Sequence, residues 1–129
     1  MSKFPFISSA HAITVLRVVT ALIFVAHAAV RIVTSTIGQF GSFLEDKGFS
    51  FGVLIVWLIT IYEIAGGLLL AFGIFTRWLA LGFIILIAVG IVIIHAANGW
   101  FVGEHGTGGM EYSVLLIAAL IVIASSDKN

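Results

Sequence analysis

The sequence predicts an all-α integral membrane protein, a four-helix antiparallel bundle with a short interfacial helix between helices 1 and 2. Of the 129 residues, 61% are hydrophobic and 9% are charged, whereas soluble domains carry about 25% charged residues. The apolar residues form four runs that lack the strict alternation of a barrel strand, and only helices and closed barrels span bilayers. As a single transmembrane domain over residues 1–129, the chain has predicted spans at about 12–33, 51–75, 78–97 and 110–125.

Charge and cysteine content narrow the classes of function. The formal net charge is +0, so the sequence offers no basic surface for nucleic acid. The chain contains no cysteine, which excludes disulfide bonds, thiol catalysis and iron–sulfur ligation by its own side chains. Its first residues show no apolar core ahead of a small-residue cleavage site, so we expect helix 1 to be a retained span and not a signal peptide.

The three connections between the runs differ in character. Residues 34–50 carry Ile37, Phe40, Phe43 and Leu44 at helical spacing, which predicts a short amphipathic helix in the membrane interface. Residues 73–77 are few enough to join helices 2 and 3 as a tight antiparallel hairpin. Residues 98–109, between helices 3 and 4, are rich in glycine and predict a sharply bent backbone.

Basic residues orient the bundle in the membrane. Lys3, Arg77 and Lys128 fall at one end, and the positive-inside rule therefore predicts that both termini lie in the cytoplasm. Most polar residues then collect at the opposite, outer end. They would form a vestibule leading to mid-membrane, and they are His27, Arg31, His95, Asn98, Glu104, His105, Glu111 and Tyr112.

Glu63 is the one charged residue within the second apolar run. An intramembrane carboxylate costs roughly 2.5–3.5 kcal/mol on insertion scales, so Glu63 should be protonated, paired or facing a wet cavity. Gly66 and Gly67 follow it and would allow another helix or a ligand to approach closely. Two readings stay open: a functional carboxyl, or a neutral Glu hydrogen-bonded inside the bundle for packing specificity.

Helix 1 carries a polar face that includes Arg17, His27 and Arg31. A rise of about 1.5 Å per residue places Glu63 at a depth between Arg17 and His27, so we expect Arg17 to reach the carboxylate. This pair would either take part in catalysis or only hold helix 1 to helix 2. For Arg31 the favoured expectation is a side chain that extends to the outer headgroups.

His27 and His95 come from different helices at a similar outer depth. They could relay protons, form a hydrogen-bonded pair, or ligate a b-type haem or, with Glu63 or Glu111, a metal. Because they lack a defined local spacing, haem and metal are the less favoured alternatives. Glu111 suits the first turn of helix 4 through the helix dipole, and Tyr112 suits an aromatic belt, but together they could also bind a quinone carbonyl.

Several short motifs follow one another along the chain: Leu16-Arg17, His27 with Arg31, Glu63-Ile-Ala-Gly-Gly67, Gly73-Ile-Phe-Thr-Arg77, His95-Ala-Ala-Asn98-Gly99 and Gly108-Gly-Met-Glu111-Tyr112. In this order and spacing they resemble the DoxX family of small four-helix bacterial inner-membrane proteins. The resemblance implies association with respiratory, sulfur or oxidative-stress redox systems. It also implies a candidate site, made of Arg17, His27, Glu63, His95, Asn98, Glu111 and Tyr112.

Our leading hypothesis is a membrane redox-accessory protein that binds a quinone between its helices. Glu63, Arg17 and His95 would form the proton and charge relay. The residues expected to bind the ligand are His27, Asn98, Glu111, Tyr112, Gly66 and Gly67. Without cysteines the chain is expected to receive electrons from a partner oxidoreductase. The alternatives are a binding or transport module for a small solute or lipid, and a structural subunit.

Small residues on helix 3, namely Gly82, Ala88 and Gly90, offer a face for homo-oligomer contacts.

Overall fold

A computed structural model describes residues 6–101 and 109–126, and every regular element in those ranges is helical. The helices are α1 (Ser9–Val33), α2 (Ile37–Asp46), α3 (Gly52–Ala71), α4 (Thr76–Gly90) and α5 (Glu111–Ser125); α4 continues as a π-helical turn (Ile91–His95) and a 3-10 turn (Ala96–Asn98). The all-α prediction is confirmed for these ranges. The glycine-rich part of the last connection, with Glu104 and His105, lies outside them, as do Lys3 and Lys128.

Three of the described helical segments are long and apolar enough to cross a membrane: α1, α3, and α4 together with its π-helical turn. They correspond to the first three predicted helices, and α5, which is shorter, corresponds to the fourth. The segments alternate in direction. One pocket gathers the end of α1, the start of α3 and the start of α5, and another gathers the start of α1, the start of α4 and the end of α5. We call these the outer and inner ends, after the orientation predicted from the sequence.

Helices α1 and α3 pack through a close approach of their backbones. At Gly67 of α3 an added Cβ would lie 2.7 Å from a Val25 methyl and 3.2 Å from the Ala21 carbonyl oxygen of α1. Thr20, Ala21, Phe24 and Ala28 form the buried face of α1, which follows the spacing of one helical stripe. Small residues at this crossing therefore allow α1 and α3 to meet closely, as sequence reasoning expects for membrane helices.

Helix α2 packs across the start of α3. Ile37 and Leu44 of α2 are buried against Val56 of α3, and a Cβ on Gly52 would overlap the Gly41 carbonyl. A carboxylate oxygen of Glu45 accepts a hydrogen bond from the Gly52 N–H at 3.0 Å, which satisfies one of the orphan donors at the α3 N-terminus. Helix α2 is thus attached to the bundle by packing and by a cap.

Helix α3 ends at Ala71, earlier than the second predicted span, because the chain turns there toward α4. The N–H groups of Gly73 and Ile74 donate to the carbonyls of Leu70 and Leu69 at 3.0 and 2.9 Å, a pairing known as the Schellman motif. Gly73 has φ +78°, a conformation that costs glycine little. The apolar run continues to Phe75, but the backbone has already reversed.

Aromatic rings form the core between the two ends. Phe24 and Phe83 stack with ring centroids 4.0 Å apart, and Tyr62 contacts Phe83 at 4.7 Å. The Tyr62 hydroxyl donates to the Leu79 carbonyl at 2.8 Å, and a Cβ on Gly82 would collide with that hydroxyl. Gly82 therefore faces the core, which removes it from the proposed oligomer face.

We predict that Gly67→Ala destabilises the protein by about 1–3 kcal/mol, because the new methyl group must displace a stiff valine and a backbone carbonyl. The adjacent Gly66→Ala is the matched control. Its Cβ would make contacts no closer than 3.4 Å, and alanine has the higher helix propensity. Unfolding of the detergent-solubilised protein by sodium dodecyl sulfate measures both, and equal losses in the two variants would contradict the prediction.

Candidate functional site

An ion pair joins α1 to α3 inside the apolar bundle. Arg31 Nη1 lies 2.8 Å from Glu63 Oε1, and the side chains are 14% and 6% exposed. The same nitrogen donates to the Thr60 hydroxyl at 2.9 Å, and that hydroxyl donates to the Val56 carbonyl at 2.7 Å. The guanidinium also lies 5.4 Å from the centre of the Phe40 ring of α2, within the range of a cation–π contact.

The partner of Glu63 is therefore Arg31 and not the expected Arg17. Every Cα–Cβ bond in a helix tilts toward the N-terminus of that helix. Arg31 is near the outer end of α1, and its side chain therefore leans toward the inner end. Glu63 is on the antiparallel α3, and its side chain leans toward the outer end. The two side chains converge. The expectation that Arg31 extends to the outer headgroups was wrong for the same reason.

Arg17 leans in the same direction as Arg31, toward the inner end, but it starts on the inner side of Glu63 and so leans away from it. Its Nη2 donates to the Ala71 carbonyl at 3.4 Å, at the C-terminus of α3. Its guanidinium also lies beside Gly73 in the turn that follows. The structure therefore separates Arg17 from Glu63, and the charge relay that joined the two residues is not formed.

The outer pocket is a cavity of about 270 Å³ between the outer halves of α1, α3, α4 and α5. Phe24 lies in its wall next to the aromatic core, and Phe40, Leu44 and Phe49 line it from α2 and the segment after α2. Its polar lining residues are His27, Arg31, Glu63, His95, Tyr112 and Ser113. Val89 lines it as well and is 45% exposed, so the cavity reaches the outward surface of α4.

A change of helix type brings His95 to this cavity. The segment from Ile91 to His95 is π-helical, and Gly90, Ile93, Ile94 and His95 all line the pocket. Such turns are rare and often occur at functional sites. On the facing side, the rings of His27 and Tyr112 lie with centroids 6.5 Å apart.

Four of the nine residues predicted for the site line the outer pocket: Glu63, His27, His95 and Tyr112. The other five lie elsewhere. Asn98 and Glu111 occupy the chain just beyond the pocket, where the Asn98 amide donates to the Ile94 carbonyl at 3.4 Å. Gly66 and Gly67 pack against neighbouring helices, and Arg17 is at the inner end.

Sequence reasoning did not assign Arg31, Ser113 or Phe40 to the site. The tilt of helical side chains would have identified Arg31, but no local signal singles out Ser113 or Phe40. Among the described residues no three His, Asp or Glu side chains are grouped so that they could hold a metal ion. Haem ligation by His27 and His95 stays a less favoured prediction.

We predict that Glu63→Leu lowers the free energy of unfolding by about 3–5 kcal/mol, because the buried Arg31 loses its counter-charge. The double variant Arg31→Met with Glu63→Leu should recover most of that loss. Detergent-to-dodecyl-sulfate unfolding measures the coupling between the two positions.

The matched control for this cycle is Arg17→Met combined with Glu63→Leu. Arg17 has no contact with Glu63, so its effect should add to that of Glu63→Leu within about 0.5 kcal/mol. Strong coupling of Glu63 to Arg17, with none to Arg31, would contradict the observed pairing.

Most residues of this site lie within a match to a known protein family. A family model described as DoxX matches residues 12–96, which run from α1 into the turn that follows His95. The match includes Arg31, Glu63 and His95, whereas Tyr112 and Ser113 lie beyond it. No curated protein and no solved structure matches the chain.

Proposed function

The chain belongs to the DoxX family, and on that premise we propose that it is an accessory subunit of a bacterial redox system and that it binds a quinone in its own outer pocket. The redox system would be respiratory, or would handle sulfur compounds or oxidative stress. The protein would lie in the inner membrane as four spans with both termini in the cytoplasm, and α2 would rest in the outer interface.

The shape and lining of the outer pocket carry this proposal. Ligand pockets are mostly apolar, with a few convergent polar groups, and usually measure about 300–1,000 Å³. A cavity of about 270 Å³ suits the ring of an amphipathic molecule whose tail stays in the bilayer. The exposed Val89 at its edge supports entry from the lipid along α4.

The polar groups match the needs of a quinone ring. Tyr112, His27 and His95 can each donate a hydrogen bond to a ring carbonyl oxygen. Reduction of a quinone to a quinol consumes two electrons and two protons. In the proposal Glu63 and His95 carry protons to the two oxygens, and Arg31 stabilises the carboxylate between transfers.

The electrons would come from a partner oxidoreductase. The chain has no cysteine, so thiol or iron–sulfur groups would have to belong to that partner. The outward-facing apolar surfaces leave room for such a subunit, or for a second copy of this chain, beside the bilayer lipid.

We predict that His95→Ala and Glu63→Gln each weaken binding of a short-chain quinone analogue about tenfold, the equivalent of roughly 1.4 kcal/mol. Equilibrium titration of the purified protein measures the affinity. His11→Ala is the matched control, since His11 is exposed at the inner end of α1. Unchanged affinity in both pocket variants would remove quinone binding from this site.

A second prediction tests the cavity without removing a polar group. Gly90 lines the pocket and has no atom within 4 Å of an added Cβ, so the side chain of Gly90→Leu starts in open space and should occupy part of the pocket. We expect quinone affinity to fall by about tenfold or more, because the ring and the new side chain compete for one volume. Gly38→Leu, which also meets open space but lies outside the pocket, should leave the affinity unchanged.

Transport of a small solute is the second candidate function, and two pockets at opposite ends of the bundle favour it. A solute would have to pass the buried Phe24–Phe83 stack, whose rings are 4.0 Å apart. Flux into reconstituted vesicles that depends on Glu63, with no binding of quinone analogues, would select this function over the first.

A further inference from the structure

The inner pocket is a second cavity, of about 500 Å³, at the end of the bundle away from Glu63. It lies among the start of α1, the α3–α4 turn, the start of α4 and the end of α5. Its lining residues include Thr14, Arg17, Gly73, Thr76, Ser125 and Ser126. The pocket combines these polar groups with apolar side chains such as Ile13 and Ile123, so it is suited to a ligand with both characters.

Arg17 is the cation of this pocket, and its hydrogen-bonding capacity is largely unused. Its bond to the Ala71 carbonyl is 3.4 Å long, at the weak limit for such contacts. Its Nε atom is buried and has no hydrogen-bond partner. No carboxylate of the described residues pairs with Arg17. A guanidinium offers five N–H donors in a planar fork that fits a phosphate.

The backbone around Arg17 adds positive potential and space. Helix α4 begins at Thr76 without a side-chain cap, so its first N–H groups and its dipole favour an anion nearby. Gly73 leaves room beside the guanidinium, where a Cβ would lie 3.4 Å from Arg17 Cζ. The hydroxyls of Ser125 and Ser126 donate to Val122, which leaves Arg17, Thr76 and the α4 N-terminus as the donors.

The depth of the site matches the position of lipid headgroups. Helix α3 has 20 residues and is roughly 30 Å long, about the thickness of the hydrocarbon core. Its last residue, Ala71, therefore lies at the membrane boundary, and Arg17 contacts the carbonyl of that residue. The phosphate groups of phospholipids lie just beyond this boundary.

We propose that the inner pocket binds a phosphate group, and that an anionic phospholipid supplies it, with Arg17 as the main ligand. The acyl chains would extend along Ile13 and Ile123 into the bilayer. The site is separate from the outer pocket, so the proposal does not depend on quinone binding.

Native mass spectrometry of the full-length protein in neutral detergent tests the proposal. Phosphatidylglycerol, phosphatidylcholine and inorganic phosphate are titrated separately. Wild-type protein should prefer phosphatidylglycerol, and Arg17→Gln should weaken its binding more than about tenfold. Arg77→Gln removes the same charge at the same end. It should lower the affinity for phosphatidylglycerol at most about fivefold, the loss expected for any basic residue at an anionic surface. Arg17→Lys should recover part of the affinity, because it restores the charge without the fork.

Several results would overturn the assignment. Equal losses in Arg17→Gln and Arg77→Gln would show diffuse attraction and no site. Displacement of the lipid by an equal concentration of inorganic phosphate would overturn the lipid as source and leave free phosphate as the ligand. A gain of about tenfold in Asp127→Asn would assign the pocket to the chain's own carboxylate. Circular dichroism checks folding, and if Arg17→Gln does not fold, Arg17→Lys against Arg77→Lys carries the comparison.

Discussion

The ion pair between Arg31 and Glu63 is the constraint on which the arrangement of the outer half depends. A carboxylate at mid-membrane is costly unless it meets a cation and further hydrogen-bond partners. Here one guanidinium nitrogen serves both Glu63 and Thr60, so α1 and α3 are held at one relative height. Phe40 lies beneath the same guanidinium, which ties α2 to the pair. The pocket occupies the space that this arrangement leaves open.

Much of the fold was predictable from the sequence, because apolar runs of this length can be little else than membrane helices. The helix ends were less predictable, since apolar composition does not reveal where a backbone reverses. The run that contains Glu63 continues to Phe75, yet α3 ends at Ala71 because Gly73 closes a Schellman turn. The interfacial role of α2 and the crossing of the membrane by α5 remain predictions.

The candidate site shows both what residue spacing can predict and where it fails. Depth along each helix was enough to bring Glu63, His27, His95 and Tyr112 to one pocket. The same arithmetic paired Glu63 with Arg17, because it counted rise per residue and ignored the direction of the side chains. In an antiparallel pair the Cα–Cβ tilt separates Arg17 from Glu63 and brings Arg31 toward it. The π-helical turn that ends at His95 has no recognisable sequence signature.

The length of α5 has a consequence for the membrane around the protein. Its 15 residues extend roughly 22 Å, which is about 8 Å less than the hydrocarbon thickness. Tilting would only shorten this reach, and backbone hydrogen bonds from Met110 and Glu111 to Gly99 and Trp100 hold the start of α5 in place. In the predicted arrangement of four spans, lipids beside α5 would have to thin locally, at a fraction of a kcal/mol for each Å of mismatch. Such an elastic cost favours thin bilayers and gives neighbouring proteins with short spans a reason to gather on that side.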